Sequence, residues 1–366
     1  MPVVLFIATI AVLVLVHELG HFLAAKRLGI RVDEFGLGFP PRLFGTKVGE
    51  TVYSVNIIPF GGFVKIFGEK PGGRQLSDQD QKGSFSSKPK RVQAAVLFAG
   101  VAFNWLFAWF LISTGFVFGM PVPIEGYEGK GEIRDRRLLV VTVLPDSPAE
   151  AAGLRPGDVI KDLSTDSDTI QNPSAETVRR FIASREGEKF DVRYRRGEAE
   201  GRVPVTPRFS APDGRAIIGI SMEEVGTLSL LPHKAFLEGA KTTVRVTGVV
   251  ATELVDFIIE SFRGQTSVSD ITGPVGIVGL VGEAGSLGFI YLLSFVAFIS
   301  INLAVLNLVP FPALDGGRLL FLAVEALLRR PIKPEIQNVS NAIGLAILLV
   351  FMAVVTYHDI ARLVGS

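Results

Sequence analysis

Pro2-Val3-Val4-Leu5-Phe6-Ile7-Ala8-Thr9-Ile10-Ala11-Val12-Leu13-Val14-Leu15-Val16-His17-Glu18-Leu19-Gly20-His21-Phe22-Leu23-Ala24-Ala25 is apolar and long enough to cross a bilayer as one helix. Its far end carries two imidazoles and a carboxylate. Ionisable groups at membrane depth are costly, and they persist where they pair with one another or do chemistry. Positions i and i+4 share a helix face, so His17 and His21 can reach one ion. Glu18, one residue along, is too close to be the usual third ligand. It is placed instead to act on a metal-bound water. The pentapeptide therefore reads as part of a buried metal site.

Composition narrows the chemistry. The chain has 366 residues, 48% of them hydrophobic, which suits a membrane protein with a substantial soluble part. It has no cysteine, which excludes disulfides, thiolate ligands and cysteine nucleophiles. A zinc site must then use nitrogen and oxygen ligands. The remaining histidines, His233 and His358, read as surface or interfacial residues. The first apolar run lacks a basic leader and a small-residue cleavage site, so it is not expected to be a removed signal peptide.

Three further apolar runs follow, at about 92–118, 287–309 and 342–357. The loop 26–91 carries 12 Lys/Arg against 6 Asp/Glu, whereas 120–287 carries 20 against 25. The positive-inside tendency places 26–91 in the cytoplasm and both termini outside, with the long acidic segment on the outer face. His17 then lies toward the cytoplasmic end of the first span. The third span runs inward and delivers Asn307-Leu308-Val309-Pro310-Phe311-Pro312-Ala313-Leu314-Asp315-Gly316-Gly317 to that same side. Asp315 is the only acidic residue between Glu283 and Glu325. A catalytic zinc site needs three protein ligands and one open position, and Asp315 is the candidate third. It also suits the start of a helix over 316–328.

Between the first two spans, Thr51–Val55 and Gly61–Ile66 are β-rich. Pro59-Phe60-Gly61-Gly62 supplies a turn, predicting a membrane-associated β-hairpin. Polar, Gly/Pro/Ser-rich 69–90 reads as a flexible surface loop. Residues 125–222 read as one soluble domain. In it, Ser147 caps a short helix, Pro148 starts it and Gly153 ends it, ahead of the turn Pro156-Gly157 and the strand at Val159-Ile160. Strands at 138–144 and 189–195 fit around that helix. Apolar spacings of three and four from 236 to 262 predict an amphipathic helix within 233–264. It either lies on the outer membrane interface or packs against the soluble domain. Glycines at 273, 276, 279, 282, 285 and 288 suggest a re-entrant or close-packed loop before the third span.

The HELGH of the first span, Gly61-Gly62-Phe63-Val64-Lys65, the GLRPGDVI string ending at Ile160 and NLVPFPALDGG of the third span together resemble the bacterial site-2 proteases of the RseP type. The resemblance covers nearly the whole chain. It implies a multi-pass α-helical membrane protein with about four transmembrane helices, a membrane-associated β-hairpin and an inserted α+β PDZ domain. The parts are residues 1–119 (first two helices and hairpin loop), 125–222 (PDZ), 233–264 (amphipathic helix) and 270–366 (last two helices). The resemblance implies zinc ligation by His17, His21 and Asp315, with Glu18 as general base and proton shuttle. Asn307 matches the position that helps hold the substrate backbone or oxyanion, and Asn104 and the strand at Gly62-Phe63-Val64 are further substrate-binding candidates. Where many relatives have Gly-Pro, this chain has Gly100-Val101, and it has room for one PDZ domain rather than two.

The implied activity is zinc-dependent hydrolysis of a peptide bond in or near a transmembrane helix, within a bacterial cytoplasmic membrane. The substrates are single-pass membrane proteins, with an anti-sigma factor after a first cut as the family's example and signal-peptide remnants as the alternative. The PDZ domain, outside, either binds a freed carboxyl terminus or excludes bulky uncut substrates. The lipid bilayer is a partner, and nucleic acid is not expected. A silent PDZ scaffold with structural zinc fits less well, because it needs no base at position 18. An ion transporter has no use for a separate peptide-binding module.

Overall fold

The computed structural model describes residues 1–69, 78–165, 167–197, 199–210, 214–264 and 272–364. Four of its helices are long and apolar enough to cross a membrane: Pro2–Arg27, Lys90–Phe118, Phe289–Leu308 and Pro334–Arg362. The protein is a multi-pass membrane protein. It divides into two compact units, one built from 1–114 and 236–366 and the other from 115–235.

In the first unit, α1 (Pro2–Arg27) is followed by β1 (Val32–Val48) and β2 (Thr51–Ile66), then α2 (Asp78–Gly83) and α3 (Lys90–Phe118). The hairpin forms, but with a different pairing from the one predicted. Thr51–Val55 and Gly61–Ile66 are two stretches of the single strand β2, and their partner is β1. The prolines and glycines of β1 (Gly36, Gly38, Pro40, Pro41) disguised a strand as a loop. Residues 34–37 lie between 52–55 and 62–65, while 44–48 pair with 51–55 on the far side. Residues 62–65 therefore form an edge.

Residues 70–77 of the predicted surface loop lie outside the described residues. The part that follows is not a free loop. Phe85 is buried with Ala25, Ile30, Val32, Ile66, Val96 and Leu97, in a cluster that joins α1, both strands and α3. Backbone hydrogen bonds hold it as well: the Phe85 N–H donates to the Phe67 carbonyl at 2.8 Å, and the Gly83 carbonyl accepts the Arg31 N–H at 3.0 Å.

The second unit contains β3 (Met120–Pro123), β4 (Glu132–Val143), α4 (Pro148–Ala151), β5 (Val159–Ser164), β6 (Thr169–Gln171), α5 (Ala175–Ala183), β7 (Phe190–Arg196), β8 (Ala199–Val205), β9 (Arg208–Ser210), β10 (Arg215–Ile217) and β11 (Ile220–Ser229). Its main sheet runs β3-β11-β4-β5-β7-β8, with β6 beside β5. α5 buries Val178, Phe181 and Ile182 against Leu138, Val140, Leu163, Phe190 and Val192. The Ser147 hydroxyl accepts the Glu150 N–H at 3.2 Å, Pro148 opens α4, and Gly153 takes φ +86°. The unit extends beyond 125–222 because β3 and the end of β11 complete the sheet. This α+β sheet-and-helix arrangement is the inserted soluble domain that the sequence predicts.

The first unit then resumes with α6 (Pro232–Phe262), α7 (Pro274–Leu287), α8 (Phe289–Leu308), α9 (Asp315–Leu328) and α10 (Pro334–Val364). α6 is helical over the stretch that the sequence predicts. It packs along the spanning helix α3, with Gly239 against Ser113 and Thr247 accepting the Trp105 indole N–H at 3.1 Å. These contacts make the two helices antiparallel. Small side chains on both allow the close approach, which a hydrophobic period cannot report.

The glycine-rich segment is the helix α7 rather than a loop, although 270 and 271 lie outside the described residues. Gly282 and Gly285 face Pro2 and Leu5 of α1, and the N–H groups of Gly273 and Gly276 donate to buried Asp359 of α10 at 3.1 and 2.8 Å. That contact gives a physical account of four of the six glycines.

Candidate metal centre

α1 presents His17 and His21 one turn apart, and their rings meet edge-on with centroids 4.7 Å apart. Their Nε2 atoms are 3.1 Å from each other. The Asp315 Oδ2 atom lies 3.0 Å from the first and 3.2 Å from the second. These side chains are 7–12% exposed. Three donor atoms thus converge from two elements far apart in sequence. His233 and His358 are exposed and take no part.

The position of Asp315 follows from its loop. α8 stops at Leu308, and Pro310 and Pro312 have no N–H to continue it. Ala313 adopts φ +77°, rare for a residue with a Cβ, and its N–H donates to Asn341 Oδ1 of α10 at 3.1 Å. Asp315 is the first residue of α9, and the helix has no side-chain cap. Its carboxylate faces the imidazoles instead. A Cβ at Gly316 would sit 2.2 Å from the Val309 carbonyl oxygen, and one at Gly317 the same distance from that of Phe311. Only glycine lets the loop fold back so tightly at these two positions.

α3 supplies the back wall. The Val96 carbonyl oxygen lies 2.8 Å from His21 Nδ1 and accepts its proton, which leaves Nε2 bare. That is the tautomer a metal requires. A Cβ on Gly100 would come within 2.4 Å of His21 Nε2 and 2.8 Å of His17 Cε1. α3 runs unbroken through Gly100 and Val101, so this space exists with no proline at position 101. Asn104 is fully buried, with Nδ2 3.5 Å from His17 Nδ1.

Glu18 is tied to the hairpin. Its Oε2 accepts the Val64 N–H at 2.9 Å, from the sheet edge formed by 62–65. Gly62, Phe63 and Val64 thus line a strand beside the helix that carries the histidines. Asn307 is half-buried near the end of α8 and, among the described residues, makes no hydrogen bond to the cluster. Val96 escaped the sequence reading because a backbone carbonyl has no signature in residue type. Gly100 was visible in it only as part of a departure from a motif.

The donor set fits a zinc ion. It has two nitrogens and one oxygen, one imidazole is fixed in the metal-ready tautomer, and Asp315 Oδ2 is buried without a hydrogen-bond donor. The model for peptidase family M50 matches residues 5–351. The chain belongs to peptidase family M50, the site-2 proteases. The zinc metalloprotease RasP of Oceanobacillus iheyensis is 31% identical over 99% of both chains. The regulator of sigma-W protease RasP of Bacillus subtilis is 29% identical over 99% of this chain and 98% of its own. Part of the chain is similar to the PDZ domain of an SdrC-like protein from Listeria monocytogenes, at 24% identity over 23% of this chain and 85% of that one, with a TM-score of 0.20. As an M50 peptidase with four candidate spans, the chain is an intramembrane metalloprotease acting in regulated proteolysis.

Proposed function

We propose that His17, His21 and Asp315 hold a zinc ion, and that Glu18 is the general base for cutting a peptide bond in or beside a substrate's transmembrane helix. The observation that carries this reading is the convergence of two imidazole nitrogens and one carboxylate oxygen, with Glu18 on the same helix. Zinc bound there supplies a Lewis acid and lowers the pKa of its water toward neutrality. Glu18 takes the proton from the attacking water and returns it to the leaving amine. The Val64 N–H steadies one Glu18 oxygen and leaves the other for proton transfer.

A helical substrate hides its backbone, so it must become extended before it is cut. The edge at Gly62-Phe63-Val64 supports β-augmentation, in which the substrate adds as a further strand beside Glu18. Asn307 then contributes from the end of α8 toward the substrate backbone or oxyanion.

The substrate is a single-pass membrane protein. The name of the B. subtilis relative favours an anti-sigma factor over signal-peptide remnants. The basic loop 26–91 supports a cytoplasmic metal site, in a bacterial cytoplasmic membrane, with the PDZ domain outside. There the PDZ domain either takes a carboxyl-terminal peptide freed by a prior cut or excludes bulky uncut substrates.

The test is Glu18→Gln in the full chain, with a reporter carrying a substrate transmembrane helix. The variant should retain zinc and lose cleavage. Unchanged cleavage removes Glu18 from the mechanism and overturns the assignment of this site as the one that cuts the reporter.

A further inference from the structure

We infer that Asn104 is a positioning residue for His17: its amide oxygen accepts the His17 Nδ1–H and so keeps Nε2 bare and aimed at Asp315. This inference rests on the metal centre proposed above. It gives Asn104 a different task from the substrate contact suggested by sequence.

Two observations carry it. Asn104 is 0% exposed, and its Oδ1 is buried with no hydrogen-bond partner among the described residues. On the other side of the same amide, Nδ2 lies 3.5 Å from His17 Nδ1. His17 Nε2 faces Asp315 Oδ2 and His21 Nε2 at 3.0 and 3.1 Å, so it is the ligand atom. Its ring proton therefore belongs on Nδ1. An amide NH2 opposite that Nδ1–H sets donor against donor. Turning the amide over is sterically neutral, because its oxygen and nitrogen are nearly equal in size. The turn puts Oδ1 opposite Nδ1–H and replaces a repulsive contact with a hydrogen bond.

The result matches the arrangement at the other imidazole, where the Val96 carbonyl oxygen lies 2.8 Å from His21 Nδ1. Each histidine of α1 is then backed by an oxygen from α3: a carbonyl for His21 and a side-chain amide for His17. The Asn104 main chain is itself anchored, since its carbonyl accepts the Ser300 hydroxyl of α8 at 2.8 Å. Partners of this kind fix the ring orientation and the tautomer of a metal-binding histidine.

The test compares Asn104→Asp with Asn104→Leu in the full chain, reading zinc affinity by chelator competition and apo-protein stability by thermal unfolding. Asp keeps an acceptor and removes the donor; Leu keeps the volume and removes both. Leu should weaken zinc binding about 10–100-fold, whereas Asp should bind zinc at least as tightly as the parent. Equal loss of zinc in both variants, or unchanged zinc in Leu, overturns the inference. Asp that binds zinc normally but cannot cleave assigns the Asn104 N–H to substrate, and it also overturns the inference if Leu binds zinc as well. A purely packing role lowers apo stability and spares zinc affinity. His17→Ala is the separate control: if it too binds zinc normally, the metal centre itself is wrong, rather than the part given to Asn104.

Discussion

The Val64 backbone N–H donates to the Glu18 carboxylate at 2.9 Å, joining the expected general base to the edge of a β-sheet. The catalytic helix and the strand proposed to receive substrate are therefore one assembly. Movement of that edge moves the base.

Val64→Pro tests this coupling. The Val64 N–H points away from the ladder, and proline is tolerated at edge positions whose N–H is not needed by a neighbouring strand. Loss of a hydrogen bond to a charged group costs about 1.5–3 kcal/mol. Cleavage should fall by roughly 10–100-fold, the rate equivalent of that loss, with zinc content unchanged. Full activity in the purified variant, measured on a transmembrane reporter, would show that Glu18 needs no such support.

Gly100→Ala separates the metal site from the fold. Alanine is the better helix former, so α3 itself should not weaken. The new Cβ would meet His21 Nε2 at 2.4 Å and His17 Cε1 at 2.8 Å, pushing both rings out of place. The expected result is a protein of near-parental apo stability that has lost most of its zinc affinity. Metal analysis together with thermal unfolding checks both halves.

Zinc removal should destabilise the parent more than an Asp315→Ala variant. A ligand that binds only the folded state adds about 2.7 kcal/mol when its concentration is 100 times its dissociation constant. Chelation should lower the unfolding midpoint of the parent, and added zinc should restore it. In Asp315→Ala, with one of three ligands gone, the midpoint should respond much less. An equal response would mean that zinc stabilises the chain from another place.

In the 115–235 unit, Asp158 is fully buried and accepts the Arg155 N–H at 2.8 Å and Arg196 Nε and Nη2 at 2.7 and 2.8 Å. Arg196→Leu removes the charge partner and leaves the carboxylate in the interior. A loss of about 3 kcal/mol is expected, at the low end for a broken buried pair because the backbone N–H remains. Pulse proteolysis of the full chain, read at the 115–235 unit, measures it; an unchanged profile would mean Asp158 is solvated in solution.

Much of this protein is legible along the chain because its signals are local. The four apolar runs need only length and hydropathy, and the His17/His21 face needs only the helical repeat. Ser147, Pro148 and Gly153 mark the ends of α4 by their own conformational preferences. Reading failed where a residue type points one way and its neighbours in space another. β1 is rich in proline and glycine yet pairs on both sides, and Gly276, Gly282 and Gly285 sit in α7 where α10 and α1 approach them closely.

The sequence by itself determined the class of chemistry: two imidazoles and a carboxylate on one span, no sulfur ligands, and a single acidic candidate arriving at the same depth. Tertiary structure alone decided how those groups are held. Val96 and Val64 act through backbone atoms, and Gly100 acts by lacking a Cβ. None of these leaves a mark in residue chemistry, because a peptide group is the same at every position and only the fold gives it a partner.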